Sequence, residues 1–453
     1  MSEEAIGRAM PPAPAQMLAA LHAAGYSAYA VGGCVRDCLL GRTPQDWDLC
    51  TAARPEEIRR VFSGHRMLLN GLKHGTVTVF AADGTHCEIT TYRVEDSYAD
   101  HRHPDAVRFV PQVEQDLARR DFTINAMAWS PQSGLIDVFG GRADLAAGIV
   151  RCVGDPQQRF AEDALRILRA VRFAAQLEFA LEPQTAQAAL ALRDTVSGVS
   201  AERCFAELDR LLTGPAAATV LARHGAVLGG VLPELLPCIG CEQAVWHRYD
   251  VWQHTAATVG ALDLTDCTEA DARILRWAAL LHDLAKPECR ILEADGMPHF
   301  PGHNQRGGVM AAAILRRLRA PQALIQGVSA LVSVHDVPLP TEDPDILRLL
   351  NRYGPLFLQR LCRLKCADLD AHAVLPNVTA RRQATCIFEA RMRKLSAEGC
   401  YTVRQLAVSG ADVLQCGIRP GAAVGQTLAF LLEQVMDGTL PNERQALLKA
   451  LQA

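Results

Sequence analysis

The chain has 453 residues, 49% hydrophobic and 21% charged, the composition of a folded protein of about three domains. Lys and Arg number 46 against 50 Asp and Glu, a formal net charge of −4, which excludes nucleic-acid binding by bulk positive charge but leaves room for a local basic groove. Only 6% of residues are aromatic, which excludes long base-stacking platforms. The 15 cysteines follow no framework spacing and no basic, apolar leader follows Met1, so reduced thiols and a cytoplasmic location are expected. Cys238 and Cys241 form a lone CxxC without the second pair a zinc site needs, and read as structural.

In chain order, residues 14–24 have a helical pattern. Residues 29–33 read as a short buried strand ending in glycines, and residues 46–50 as a second strand. Residues 76–80 and 86–92 alternate at period 2 around an Asp83-Gly84 hairpin turn. Residues 124–129 and 135–139 add apolar segments. From about residue 144 helical patterns dominate, broken at Gly214-Pro215 and at the Pro- and Gly-containing stretches 237–240, 298–302 and 340–344. The most apolar stretch, 216–236, is interrupted by Arg223, His224 and Glu234 and reads as a buried helix pair, not a membrane span. The expected fold is α+β: a small mixed α/β head (1–145), then an all-helical neck (146–238), body (239–384) and tail (385–453).

Gly32 and Gly33 follow a strand and open a helix, where backbone N–H groups can approach an anion, with Arg36 one turn in. Asp46 and Asp48 stand at i and i+2, on one face of a strand. Two carboxylates side by side repel unless a cation is present, and two hard oxygen ligands suit Mg²⁺. Glu88 sits within an apolar strand, where a carboxylate needs a partner or a metal. Three carboxylates near a phosphate-binding turn are what two-metal phosphoryl transfer requires.

Gly32-Gly33-x-Val35-Arg36-Asp37, Asp46-x-Asp48, Arg119-Arg120-Asp121-Phe122-Thr123-x-Asn125-Ala126 and Glu162-Asp163-x-x-Arg166-x-x-Arg169, in this order, resemble the class II tRNA nucleotidyltransferases. This polymerase β-like group includes the CCA-adding enzymes and bacterial poly(A) polymerases. The resemblance implies template-independent addition of CCA to the tRNA 3′ end. The partners are then tRNA, CTP and ATP, with neither a membrane nor DNA expected. Asp46 and Asp48 would bind Mg²⁺ and Glu88 complete the catalytic cluster. Arg120 would meet the triphosphate, on the turn of Gly32, Gly33 and Arg36, while Asp121 and Asn125 would contact the sugar or position other groups.

Residues 162–173 read as a helix on which Asp163, Arg166, Arg169 and Arg172 recur every three residues; a salt-bridged exposed helix has the same spacing. Cytosine and adenine each present an exocyclic amine beside a ring-nitrogen acceptor, which an Asp and an Arg can match; guanine and uracil present the reverse. The resemblance assigns this base selection to Asp163 and Arg166, with Arg169 and Arg172 beside the nucleotide. Residues 93–109 are polar and read as a mobile loop, and in the family such a loop accompanies the switch from C to A addition. Addition of CC only or A only, or poly(A) synthesis, are the alternatives within the class.

In the body, His254, His282-Asp283, His303, His335 and Asp368 mix imidazole and carboxylate, a donor set for a transition metal. His282 and Asp283 are read as lying inside an apolar helix, with Lys286 nearby. The order H…HD…H…H…D resembles the HD-type metal-dependent phosphohydrolases. It implies a second metal site and hydrolysis of a phosphomonoester or cyclic phosphodiester. A helical tRNA-holding body that keeps these residues for structure is the plain alternative. A phosphohydrolase whose head only binds RNA is the alternative of another class. Residues 409–425, with a Gly417–Gly421 turn before a helix, resemble the family's tail and fit either a tRNA backbone contact or a simple interhelical turn.

Overall fold

The computed structural model describes residues 3–95, 107–243, 248–292 and 296–452. The chain forms two compact units, Met1–Leu236 and Pro237–Ala453.

The first unit is built on a seven-stranded sheet. Its strands are β1 (Ala28–Val31), β2 (Asp48–Thr51), β3 (Arg66–Leu68), β4 (Thr76–Phe80), β5 (His86–Thr91), β8 (Ala128–Ser130) and β9 (Gly134–Ile136), while β6 (Arg93–Glu95) and β7 (Val107–Phe109) pair separately. The order is β3-β4-β5-β2-β1-β8-β9. All neighbours run antiparallel except β2 and β5, which are parallel. Period-2 patterning explains the hairpin of β4 and β5: Val77, Val79, Cys87 and Ile89 are buried, and the residues between them face outward. Gly84 takes φ +87° at the turn, where the Asp83 carboxylate accepts from the Thr85 N–H.

Several expectations change. Asp46 lies outside β2, because pairing with β1 reaches only to Leu49 and pairing with β5 begins at Asp48. The polar stretch 93–109 is not all loop: Val94 pairs with Arg108 and Arg93 with Phe109, so both ends are strand. Its middle, 96–106, lies outside the described residues. The helix expected over 162–173 breaks in two, Pro156–Glu162 and Leu165–Leu177. Asp163 there adopts an extended conformation, and its carboxylate accepts from the Leu165 N–H at 3.0 Å, as a capping side chain does. The neck and body are not wholly helical: Ile149–Val150 pairs in parallel with Ala180–Leu181, and Ile291–Leu292 antiparallel with Pro298–His299. Finally, His282 and Asp283 follow the end of helix Glu269–Leu281. Pro287 has no N–H for the Asp283 carbonyl, which accepts from Lys286 instead, so the helix cannot run on.

The neck helix Leu165–Leu177 is buried along most of its length and packs against Ala201–Leu212 and Ala217–Leu228. In the 216–236 stretch the second segment is a 3₁₀ turn (Pro233–Cys238), and the first bends at His224. In the second unit, helices His303–Arg317 and Gln322–Val334 pack closely because Gly308 carries no side chain; a Cβ there would lie 1.9 Å from Ser333 Oγ. This close approach brings His303 and His335 together. Cys238 is buried with its thiol against the Leu284 carbonyl, in keeping with a structural CxxC. Among the described residues no helix is long and apolar enough to cross a membrane.

Candidate nucleotidyl-transfer and metal sites

Parallel pairing sets Asp48 directly opposite Glu88. Both side chains face away from the core that Leu49 and Ile89 fill, and Asp46 stands beside them in the segment before β2. Asp48 is open to solvent on one side and enclosed by protein on the others. This partial desolvation, with the charges of Glu88 and Asp46, pushes its pKa up to about 6 against the pull of Arg120. An oxygen-only set whose members repel one another fits a hard divalent cation such as Mg²⁺, which Asp46 and Asp48 could hold with Glu88 completing the cluster.

Arg120 reaches this cluster past Gly32. The glycine has φ +83°, and a Cβ there would lie 3.0 Å from Arg120 Nη1, so the close approach needs glycine. Arg119 and Arg120 both pair with buried Asp116, at 2.8 and 3.4 Å. Burial raises the Asp116 pKa, but the two guanidinium groups outweigh it and hold the carboxyl below its ordinary value.

Arg36 donates to Asn125 Oδ1 at 2.8 Å and pairs with Asp37, while its guanidinium stands 5.1 Å from the centre of the Phe173 ring. Asn125 Nδ2 donates to Asp121 Oδ1 at 3.2 Å, and Arg169 Nε donates to Asp121 Oδ2 at 2.7 Å. Burial would raise the Asp121 pKa; Arg169, then Arg166 and Asn125, bring it down to about 2. The chain of contacts ends at Glu207, 4.0 Å from Arg169 and 2.7 Å from Arg172. Gly32 with Arg120, and Arg36 with Asn125, Asp121 and Arg169, are thus brought together. Asp121 and Asn125 face into this network.

Arg166 is buried, and its guanidinium donates to Glu162 Oε2 and to the Arg159 and Arg119 carbonyls. Asp163 pairs with Arg203 at 3.2 Å. Asp116, Arg203 and Glu207 belong to no motif noted in the sequence. Glu207 did carry a signal, a charge set among the buried Cys204, Leu208 and Leu211 of one helix face.

In the second unit, Asp283 lies at the centre of a buried cluster. Its Oδ1 is 3.5 Å from both His303 Nε2 and His335 Nε2, and its Oδ2 is 3.1 Å from His282 Nε2 and 3.6 Å from His254 Nε2. Asp368 Oδ1 is 2.9 Å from His254 Nε2 and 3.9 Å from His282 Nε2. Potential donor atoms fall within 4.8 Å of one another in two groups, His254/His282/Asp368 and His282/Asp283/His335. His282, His303 and His335 each direct Nδ1 to a backbone carbonyl three residues earlier, all at 2.8 Å. A carbonyl can only accept, so Nδ1 carries a proton, and whenever the ring is neutral Nε2 presents its lone pair to the centre, the arrangement of metal-ligating histidines. Buried His282 Nε2 has no aligned hydrogen-bond partner among the described residues, which also fits a metal. Although burial raises the Asp283 pKa, His282 and Lys286 hold the carboxyl well below the usual range. All six sequence-predicted residues meet here. His372, unmarked in the sequence, joins them against the His254 ring.

The sheet with its paired carboxylates and the arginine-lined helix behind it define a nucleotidyltransferase. The family model described as the Poly A polymerase head domain matches residues 28–151. That of the "RNA and SrmB- binding site of polymerase A" matches 178–238, and that of tRNA nucleotidyltransferase domain 2 matches 373–451. The CCA-adding enzyme of Levilactobacillus brevis is 34% identical over 435 residues, 96% of each chain. That of Bacillus velezensis is 34% identical over 93% of this chain and 92% of its own. The chain therefore belongs to the family of CCA-adding enzymes. Among solved structures, the Bacillus stearothermophilus CCA-adding enzyme in complex with CTP is similar, with TM-score 0.66 and 28% identity, covering 98% of this chain and 97% of its own. The Thermotoga maritima CCA-adding enzyme complexed with tRNA shares the fold, with TM-score 0.61 and 19% identity, covering 99% and 97%.

Two outcomes follow from this geometry. Arg172 and Glu207 are 6% and 8% exposed, so Glu207→Ala strands a buried guanidinium and should lower stability by about 3–5 kcal/mol in urea unfolding, while Arg172→Met/Glu207→Leu recovers most of the loss. A carboxyl whose folded pKa is raised binds its proton in the native state before the unfolded state does. The contribution of Asp48 to stability should therefore fall as pH rises from the ordinary carboxylate range to about 6, and stay level above. Thermal unfolding without Mg²⁺ should show that slope reduced in Asp48→Asn, and Mg²⁺ should raise the wild-type Tm above pH 6 more than below it.

Proposed function

We propose that this chain adds CCA to the 3′ end of tRNA from CTP and ATP, without a nucleic-acid template, in the cytoplasm. The observation that carries this is the ladder register that holds Asp48 beside Glu88, with Asp46 and Arg120 adjacent. Full-length similarity to CCA-adding enzymes favours CCA over CC-only, A-only or poly(A) addition.

Asp46 and Asp48, with Glu88 completing the set, would hold Mg²⁺, which would supply charge neutralisation at the reacting phosphates. Arg120, set by Gly32 and Asp116, meets the triphosphate, and Arg36 supports the turn at Gly33. The tRNA 3′-hydroxyl attacks the α-phosphorus in line, the bond to the bridging oxygen breaks, and pyrophosphate leaves. Asp163 accepts from the exocyclic amine of cytosine or adenine and Arg166 donates to the ring nitrogen. Both already bond protein groups, so nucleotide entry exchanges Arg203 and part of the Arg166 set for the base. Asp121 and Asn125 position Arg169 and Arg36, and Arg172 is set by Glu207. In this reading residues 1–145 react, 146–238 select the base, 239–384 form the body and 385–453 hold the tRNA.

A tRNA lacking its terminal triplet should gain CC with CTP alone and CCA with CTP and ATP, as read by end sequencing. Asp46→Ala/Asp48→Ala should abolish incorporation; persistent incorporation would refute the assignment. Asp163→Ala and Arg166→Ala should each erode the preference for C and A over U and G.

The histidine cluster supports a second activity of the body. His254, His282, Asp283, His303, His335 and Asp368 would hold a transition metal, which would supply polarisation of water for phosphoester hydrolysis. Calorimetry should find Mn²⁺ or Ni²⁺ binding that His282→Ala/Asp283→Ala removes. Hydrolysis of a 2′,3′-cyclic phosphate should disappear in the same variant, with CCA addition retained.

A further inference from the structure

A cavity of about 570 Å³ opens beside the histidine cluster, within the size range of small-molecule sites. It shares Asp336, Asp368 and Arg381 with a smaller recess of about 190 Å³, onto which Asp283, His303 and His335 open. The two spaces differ in chemistry. Around the recess stand Asp283, His303, His335, Asp368 and Lys286, whose Nζ lies 2.6 Å from Asp283 Oδ2, donates to Gln243 Oε1 at 2.7 Å and keeps a third N–H for a phosphate. The larger cavity has apolar walls from Pro338, Leu339, Ile387 and Phe388.

Arg381 stands at the junction. It is half exposed and meets Asp336 only at 3.7 Å, so its guanidinium can turn to a phosphate at little cost. Lys365 lines the larger cavity and not the recess, and its ammonium donates to the His335 and Val337 carbonyls. Those bonds fix the chain that leaves His335 to form the cavity wall.

We propose that the body's hydrolytic site takes an aromatic or heteroaromatic phosphomonoester, with the phosphate between Lys286 and Arg381 and the ring in the apolar cavity. This rests on reading the cluster as a metal-dependent phosphohydrolase site. Water adds to phosphorus, the bond from phosphorus to the organic oxygen breaks, that oxygen takes a proton, and inorganic phosphate and the free alcohol leave. Pyrophosphate or a small polar phosphoester would leave the apolar walls wet, whereas a bicyclic ring covers them and gains the corresponding transfer free energy.

The test uses the full-length protein loaded with Mn²⁺ and two phosphonates that cannot be hydrolysed, 1-naphthylmethylphosphonate and methylphosphonate. Calorimetry should show the naphthyl compound binding at least about tenfold tighter. Ala384 lines the cavity on its exposed side, so Ala384→Trp should fill the space and remove that advantage with Mn²⁺ affinity unchanged. Ile387→Asp should do the same by placing a charge on the wall. In turnover, 1-naphthyl phosphate should be preferred to glycerol 2-phosphate, and the preference should disappear in both variants. Failure of Mn²⁺ to bind would refute the metal reading and the proposal with it. Mn²⁺ binding with equal affinity for the two phosphonates, or a naphthyl advantage that survives both variants, would overturn the proposal and leave the metal site standing.

Discussion

The network that joins the glycine turn to the arginines of the neck helix depends on one buried carboxylate. Asp121 cannot remain ionised in the protein interior alone, and Asn125 and Arg169 satisfy its two oxygens. Through Asn125 the constraint reaches Arg36 and the glycine turn; through Arg169 it reaches Glu207 and Arg172. Head and neck helix are therefore joined by ordered hydrogen bonds and ion pairs as well as by apolar packing. Apolar contact sets a distance tolerantly, whereas charge-assisted hydrogen bonds also set orientation. In the proposed reading, arginines are presented to a triphosphate and a base, which needs the second kind of constraint.

The second unit solves a related problem with different groups. Asp283 and Asp368 are buried among imidazoles, and backbone carbonyls fix the proton of three rings on Nδ1. The carbonyls are supplied by the same local geometry each time, three residues before the histidine. The orientation of the inner nitrogens is thus built into the backbone around helix ends and does not depend on distant side chains. Lys286 compensates Asp283 from the side of the recess and Lys365 braces the chain beyond His335, so the two lysines have separate roles.

Much of this was legible in the sequence where a pattern repeats or a motif is contiguous. Alternation revealed β4 and β5, and the glycine pair marked the end of β1 and the helix start. The six metal-type residues of the body stand in an order that survives the folding of the chain around them. What was not legible is what depends on distant pairing. Asp46 fits the spacing of a strand, yet only the registers with β1 and β5 determine where β2 begins. The arginine repeat at 166, 169 and 172 implied one long helix, because periodicity does not reveal that Asp163 caps the next segment. The spacing of Arg166 and Arg172 equally fitted an exposed salt-bridged helix, and both are buried, since their partners Glu162, Arg119 and Glu207 come from other elements.

The parallel pairing of β2 with β5 has a consequence for how errors are handled. Side chains alternate faces along a strand, so a slip of one residue between these strands would turn Leu49 or Ile89 outward and a carboxylate into the core. Such a head would lose apolar burial and bury an uncompensated charge at the same time. The register that aligns Asp48 with Glu88 is thus the register that stability demands. A head folded well enough to persist already has this pair in place, and the hydrophobic core acts as a proofreader of the candidate site.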